Sequence, residues 1–282
     1  MMRALAIRRP PRLLTCLLTA AALAAALPAG AKPDELAIGV NAGVSAGEGL
    51  DELRLRFRRL GAAFSQTLRQ PVRIEPLYSS LVEKQLSRDS YPVFVVHTHH
   101  ALHATNGGAY RIVALMQAVK DDRIGFFTDG KSPVKTLADL KGRNVLMPAE
   151  FSFLSVAARA VLRQNQVDAA TLQTKYLRSQ EAVTWVVENG LGEVGVSRSA
   201  DFLAKWRRGG GKVVFESEPV PVYAVLASRN MMPATLDALL AALAGMGESE
   251  SGRTALADIG ARNFSSVDAA AVKRLAEWFG QR

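Results

Sequence analysis

The sequence predicts an α/β fold, and three observations carry that prediction. Short apolar runs alternate with stretches of helical apolar spacing along nearly the whole chain after residue 31. The runs are bounded by Gly, Asp, Asn or Pro, as strands are. Their carboxyl ends open into polar loops, the side on which α/β sheets place ligands. No internal repeat or low-complexity segment interrupts this rhythm.

The first 31 residues stand apart. Arg3, Arg8, Arg9 and Arg12 precede the apolar run Leu13 to Leu27, which ends in Pro28-Ala29-Gly30-Ala31, a small-x-small cleavage pattern. The run is short for a membrane span and reads as a secretory signal, cleaved after Ala31. Cys16 lies inside the run behind Thr15, a poor context for a lipidated cysteine. The remaining 251 residues hold no cysteine, so neither a disulfide nor a thiolate site is available to them. An exported chain without a disulfide framework fits a bacterial periplasm.

Composition narrows the class further. At 49% apolar and 22% charged residues the chain is ordinary for a globular protein with a sizeable core. The formal charge of +9 includes the four signal arginines, which leaves +5, too diffuse for a nucleic-acid partner.

Glu35 to Val40 is the first strand, and the glycine-rich loop Asn41 to Gly49 follows it. Leu53, Phe57, Leu60, Phe64 and Leu68 then recur at helical spacing, with Arg54, Arg58 and Arg59 on a solvated face. Val72 to Pro76 is a strand, Ser79 to Leu86 a short helix, and Val93 to Val96 a buried strand. All four histidines follow at once: His97, His99, His100 and His103. If Thr98 caps a helix, His99 and His103 lie one turn apart, a spacing that holds transition metals, although two imidazoles do not complete a zinc site. A ligand-facing role and plain surface or core histidines are the other readings.

Tyr110 to Gln117 and Arg123 to Phe127 are the next strands. Thr136 to Asp168 then reads as helix, turn, buried strand (Asn144 to Met147), polar loop (Pro148 to Ser155) and helix. The first amides of a helix lack intrahelical partners and carry the positive end of the macrodipole, so an anion fits there. Ser152 or Ser155 serves equally well as a simple cap. Thr174 to Leu177 and Glu193 to Val196 are strands flanking the helix Glu181 to Glu188, with Val183, Trp185, Val186 and Val187 mostly inward. Asp201 to Trp206 is a helix and Lys212 to Phe215 a strand. A proline-punctuated connection runs from Glu216 to Tyr223, then a strand to Ser228, a helix from Pro233 to Met246, and a last helix from Val267 to Phe279. The carboxyl-end rule makes Asn41 to Ser45, His97 to His100, Pro148 to Ser155 and Ser197-Arg198 the candidate cleft walls.

The order ELAIGV, Tyr78, VFVVHTHHALHA with GGAYRIVAL, SPVKTLADLKGRNVLMPAEFSFLS and FESEPVPVYAVLAS resembles the periplasmic phosphate/phosphite/phosphonate-binding proteins of ABC transporters. The resemblance implies the type II periplasmic binding protein fold, two α/β lobes around a central cleft. It divides the chain into the signal at 1–31, lobe 1 at 32–126 and 222–282, and lobe 2 at 127–221. It implies a monomer that holds a small anionic solute for a membrane permease, with no enzymatic activity, cofactor or metal. The resemblance implies Tyr78, His100, Ser152 and Ser155 as ligand residues, and the carboxyl-end loops add Asn41, Ser45, Thr98, His99, Phe153 and Ser197. The chain departs from the family pattern at Pro92 and Gly195, where Asp is usual. Two alternatives stand beside this reading: a metal-handling protein or enzyme using the His97–His103 cluster, and a binding protein that signals to a membrane sensor.

Overall fold

The computed structural model describes residues 35–41, 49–120 and 122–281. The expected export signal, Cys16 and Ser45 lie outside the described residues. Among those described, no helix is long and apolar enough to cross a membrane.

In chain order the first half supplies β1 (Leu36–Asn41), α1 (Leu50–Leu68), β2 (Val72–Leu77), α2 (Ser79–Ser87), β3 (Val93–His97), α3 (Thr98–Asn106) and β4 (Tyr110–Ala118). A second group follows: β5 (Gly125–Thr128), β6 (Asn144–Met147), α4 (Phe153–Gln164), β7 (Gln173–Tyr176), α5 (Gln180–Glu188), β8 (Val194–Ser197), α6 (Ala200–Arg208) and β9 (Lys212–Glu216). The chain then returns through β10 (Tyr223–Ser228), α7 (Pro233–Gly245), α8 (Glu250–Asp258), β11 (Ala261–Ser266) and α9 (Ala269–Phe279).

These strands form two sheets, ordered β11-β4-β10-β3-β1-β2 and β7-β6-β8-β5-β9. In each, three parallel strands (β2-β1-β3 and β7-β6-β8) are followed by one antiparallel strand that arrives from the other sheet, β10 or β5. The plan is the same twice, and it gives a two-lobed α/β protein. Parallel pairing demands helical crossovers, which is why helices alternate with strands in β1 to β3 and β6 to β8.

The chain passes between the sheets at 119–124 and 217–222, and these two segments hold each other. Ser217 N donates to Ile124 O at 3.0 Å, Ile124 N to Ser217 Oγ at 2.9 Å, and Val220 N to Asp122 O at 2.8 Å. Pro219 and Pro221 keep the return segment extended, as their sequence predicts. The division expected between Phe126 and Phe127 falls inside β5, all four residues of which pair in the second sheet.

Core packing follows the strand positions. Val93 to Val96 are buried throughout because β3 lies inside its sheet with helices on both faces. One face of the first sheet packs Val40, Val95 and Val225 against Leu53, Leu60 and Phe64 of α1 and Leu239 of α7. The outer face of the second sheet packs Phe127 and Leu146 against Val183 and Val187 of α5 and Leu203 of α6. The remaining cluster runs from Phe94 and Tyr110 through Phe126 and Met147 to Phe153 and Phe279.

Four local expectations change. The helix expected over TLADL is a single 3-10 turn, Leu137–Leu140, closed by a Thr136/Asp139 capping box. Trp185 is 57% exposed, because α5 turns Val183 and Val187, four residues apart, inward and Trp185 between them outward. The stretch 247–266, assigned no element from the sequence, forms α8 and the edge strand β11. Its apolar content is only Ala255, Leu256, Ala261 and Phe264 at buried positions. The loop expected to reach Ser155 ends at Ser152, so Ser155 lies in the first turn of α4.

Candidate ligand cleft

The carboxyl ends of both sets of parallel strands open into one cleft of about 310 Å³. The first sheet contributes Ser79 after β2, His97 at the end of β3 and His100 just after it. The second contributes Pro148 to Leu154 after β6, apart from Glu150, then Arg178 to Glu181 after β7 and Arg198 after β8. Tyr223, at the end of the return crossover, and Arg56 of α1 complete the wall.

Four helices begin here. Ser79 opens α2, His97 is the N-cap of α3, Phe153 opens α4 and Gln180 opens α5. In α4 the cap is built from side chains. Ser152 Oγ accepts from Ser155 N at 3.3 Å, and Val156 N bonds Ser152 O at 3.0 Å. The Phe153 and Leu154 amides precede the first intrahelical bonds, and both residues border the cleft. Ser179 caps α5 in the same way, accepting from Ala182 N at 3.2 Å, ahead of Gln180 and Glu181 on the cleft wall. The arrangement aims several dipole ends at one place.

Side-chain charge adds to this. Arg56, Arg178 and Arg198 line the cleft against a single acid, Glu181. Arg198 is oriented by an ion pair with Asp122 at 2.5 Å, and its amide donates to Gln180 Oε1 at 3.1 Å. Backbone dipoles and guanidinium groups together make the cleft a receptor for negative charge.

The histidines form its uncharged side. Burial, with the nearby His99, Arg198 and His100 charges, holds His97 well below the usual imidazole range. His99 is lowered to about 3, first by burial and then by His100. His100 is also lowered by burial, against an opposing pull from Glu83. At neutral pH these rings are neutral. His97 stacks on Tyr223 at 4.6 Å between centroids and lies 5.5 Å from Phe153, giving the cleft an aromatic flank.

The residues singled out in the sequence divide accordingly. Ser152, Phe153 and His100 line the cleft. His99 is buried directly behind His97 and His100, with ring centroids 5.8 and 4.0 Å away. Asn41, also buried, reaches the wall indirectly, since its Nδ2 donates to Ser79 Oγ at 3.1 Å. Tyr78 is 47% exposed and absent from the lining; its neighbour Ser79 takes that place. Thr98 does not cap α3 but is its first residue. Its hydroxyl donates to Pro221 O at 2.7 Å and its amide to Val222 O at 2.9 Å, tying α3 to the crossover. Ser155 is fully buried and donates to Pro148 O at 3.0 Å, bracing the loop from behind. Ser197 is buried too, accepting from Ser199 N at 3.2 Å. His99 and His103 do not form the expected pair, because His103 is exposed while His99 is buried.

Sequence reasoning missed Arg56, Arg178 and the Ser179 cap. Ser179 carried a usable signal, a serine between a strand and a helix with Glu181 behind it, the same pattern that marked Ser152. Arg56 carried none, since α1 has arginines on several faces.

A family model described as ABC transporter, phosphonate, periplasmic substrate-binding protein matches residues 42–272. Among solved structures, XAC2383 from Xanthomonas citri bound to ATP is similar at 18% identity and TM-score 0.72, covering 87% of this chain and 96% of that one. PhnD1 from Prochlorococcus marinus in complex with methylphosphonate is similar at 15% identity and TM-score 0.68, covering 87% and 97%. The periplasmic aliphatic sulphonate binding protein SsuA from Escherichia coli is similar at 17% identity and TM-score 0.57, covering 89% and 80%. At these identities the structural likeness speaks for the fold. A search of curated proteins finds no significant match.

Proposed function

Because the chain belongs to the family of periplasmic substrate-binding proteins of phosphonate ABC transporters, we propose that its cleft captures a small phosphorus oxyanion, phosphonate or phosphate, for delivery to the membrane permease. A member of this family is the solute-binding component of an importer, not an enzyme, and works outside the cytoplasmic membrane. The reading adds that this chain is periplasmic after losing residues 1–31 and acts as a monomer. It also adds that lobe 2 runs from the crossover at 119–124 to that at 217–222.

One observation carries the ligand class: the starts of α2, α3, α4 and α5 converge on a cleft that holds three arginines and one acid. Helix-start amides and guanidinium groups favour an oxyanion over a neutral or cationic solute. Glu181 favours phosphorus over sulfur. A singly protonated phosphonate donates a hydrogen bond to a carboxylate, whereas a sulfonate has no proton to give and would face repulsion.

Calorimetric titration with methylphosphonate, phosphite and phosphate, against methanesulfonate and sulfate, tests the proposal. Binding of at least one phosphorus anion, tighter than the sulfur anion of the same shape, is expected. Silence across the phosphorus anions, or a preference for sulfonate, overturns it.

A further inference from the structure

Three of the four histidines form a group that anion binding by amides and arginines does not require. His97, His99 and His100 each bring a ring nitrogen to one place, all within 4.8 Å of one another, and all three are buried. Neither ring nitrogen of His99 has a hydrogen-bond partner; the Phe151 carbonyl is near enough to favour a proton there but misses hydrogen-bond geometry. His100 Nδ1 is likewise without a hydrogen bond, with Glu83 Oε1 at 3.4 Å. Ring stacking accounts for the closeness of the three imidazoles. It does not account for the unpaired nitrogens of His99 and His100, which are unfavourable in a buried position.

We propose that His97, His99 and His100 form a binding site for a divalent transition metal, probed here as zinc, whose open coordination position faces the cleft and takes an oxygen of the bound oxyanion. Imidazole nitrogen suits zinc, nickel and copper, and three histidines with one open position are the donor set of an accessible zinc site. Nitrogens about 2.0–2.1 Å from a tetrahedral ion stand about 3.4 Å apart, so the widest pair here closes by about 1.4 Å. Side-chain rotation at the start of α3 supplies that movement. Glu83 stands where a metal-bound imidazole places its second nitrogen, so His100 Nδ1–H turns to the carboxylate and Nε2 to the ion. His97 and His100 both border the cleft, which gives the open position its direction. Arg198, whose charge already acts on His97, opposes a cation there. An anion between them relieves that repulsion, so zinc and oxyanion each tighten the other's binding.

The metal site stands on the histidines alone; its shared oxygen rests on the anion reading above. The test is titration of the full chain, freed of metal by chelator, with zinc in the absence of phosphorus anions. One zinc per chain is expected, at least tenfold weaker in His99→Ala and unchanged in His103→Ala, which removes an exposed histidine of the same helix. Cobalt in the unmodified protein needs no folded variant: intense visible bands of a four-coordinate ion are expected, shifting when methylphosphonate is added. Substoichiometric zinc, equal loss in His103→Ala, no loss in His99→Ala, or the weak bands of six-coordinate cobalt overturn the site. Bands that ignore methylphosphonate overturn the shared oxygen. Methylphosphonate binding to metal-free protein that takes up no zinc leaves the transport reading standing and removes this one; zinc uptake without methylphosphonate binding does the reverse.

Discussion

Two serines three residues apart, Ser152 and Ser155, allow the anion reading to be separated from mere helix capping. Ser152→Ala removes the α4 cap bond to Ser155 N and a hydroxyl that borders the cleft. Loss of an N-cap costs about 1 kcal/mol of stability. Loss of a hydrogen bond to a charged ligand costs about 1.5–3 kcal/mol of binding, an affinity about 10- to 150-fold weaker. Ser155→Ala removes the buried bond to Pro148 O and the acceptor of the Ser152 hydroxyl at 3.2 Å, which costs about 1–3 kcal/mol of stability and leaves the cleft hydroxyl in place and free to donate. Urea denaturation is therefore expected to show losses in both variants, with Ser155→Ala at least as unstable. Calorimetry with methylphosphonate is expected to show a large affinity loss only for Ser152→Ala. Equal affinity losses, or an affinity within about twofold of the unmodified protein for Ser152→Ala, would refute the claim that this helix start grips the ligand.

Arg178→Gln is expected to weaken oxyanion binding about fivefold and to flatten its dependence on salt, both read from titrations at two ionic strengths; an unchanged salt slope counts against a cleft role. Glu181→Gln should narrow the preference for methylphosphonate over methanesulfonate, with competition calorimetry as the check; an unaltered ratio removes Glu181 from selectivity. Gly195→Ala places a Cβ 2.6 Å from the Phe127 ring and 3.0 Å from Val183, so a stability loss of about 1–3 kcal/mol is expected in urea, and a neutral result would show that Phe127 moves freely. Asp139 accepts hydrogen bonds from the Lys135 and Thr136 amides and the Thr136 hydroxyl, which hold its carboxyl below the ordinary range. Its folded pKa being the lower one, its stabilisation is full above about pH 4 and fades as pH falls through the folded value. Thermal melts between pH 2 and 5 should accordingly lose part of their acid slope in Asp139→Asn, and an identical slope would contradict the assignment.

The alternation of strands and helices was legible because each signal is local. VFVV, NVLM and YAVLAS are apolar runs closed by polar residues, and burial of all three follows. Ser152 was legible for the same reason, since capping depends on a few adjacent residues. Which serine borders the cleft was not, because that depends on where the helix begins. Ser152 has extended backbone (φ −67°, ψ 153°) and Phe153 opens α4, so Ser155 is carried to the buried side. The histidines show the same dependence on register. His99 and His103 still lie one turn apart in α3, but His103 is exposed, and it is His97 at the end of β3 that joins His99 and His100 in a buried trio. Arg56 and Tyr223 come from distant parts of the chain, and only the closed sheets bring them to one wall.

The repeated strand order explains why the site survives where the chain departs from the family's usual pattern. Each parallel triplet delivers helix starts to the same side, so two facing triplets surround the cleft with backbone amides whatever side chains they carry. The Asp usual at position 195 has no room here, because Phe127 fills the space beside Gly195. An anion site built mainly from main chain tolerates that loss, since the attraction resides in peptide groups that substitution leaves in place. What the main chain does not supply is discrimination, because amides serve phosphorus and sulfur anions alike. Selectivity must therefore reside in the side chains that differ from site to site, and in this cleft those are Glu181, the three arginines and the histidines beside Tyr223.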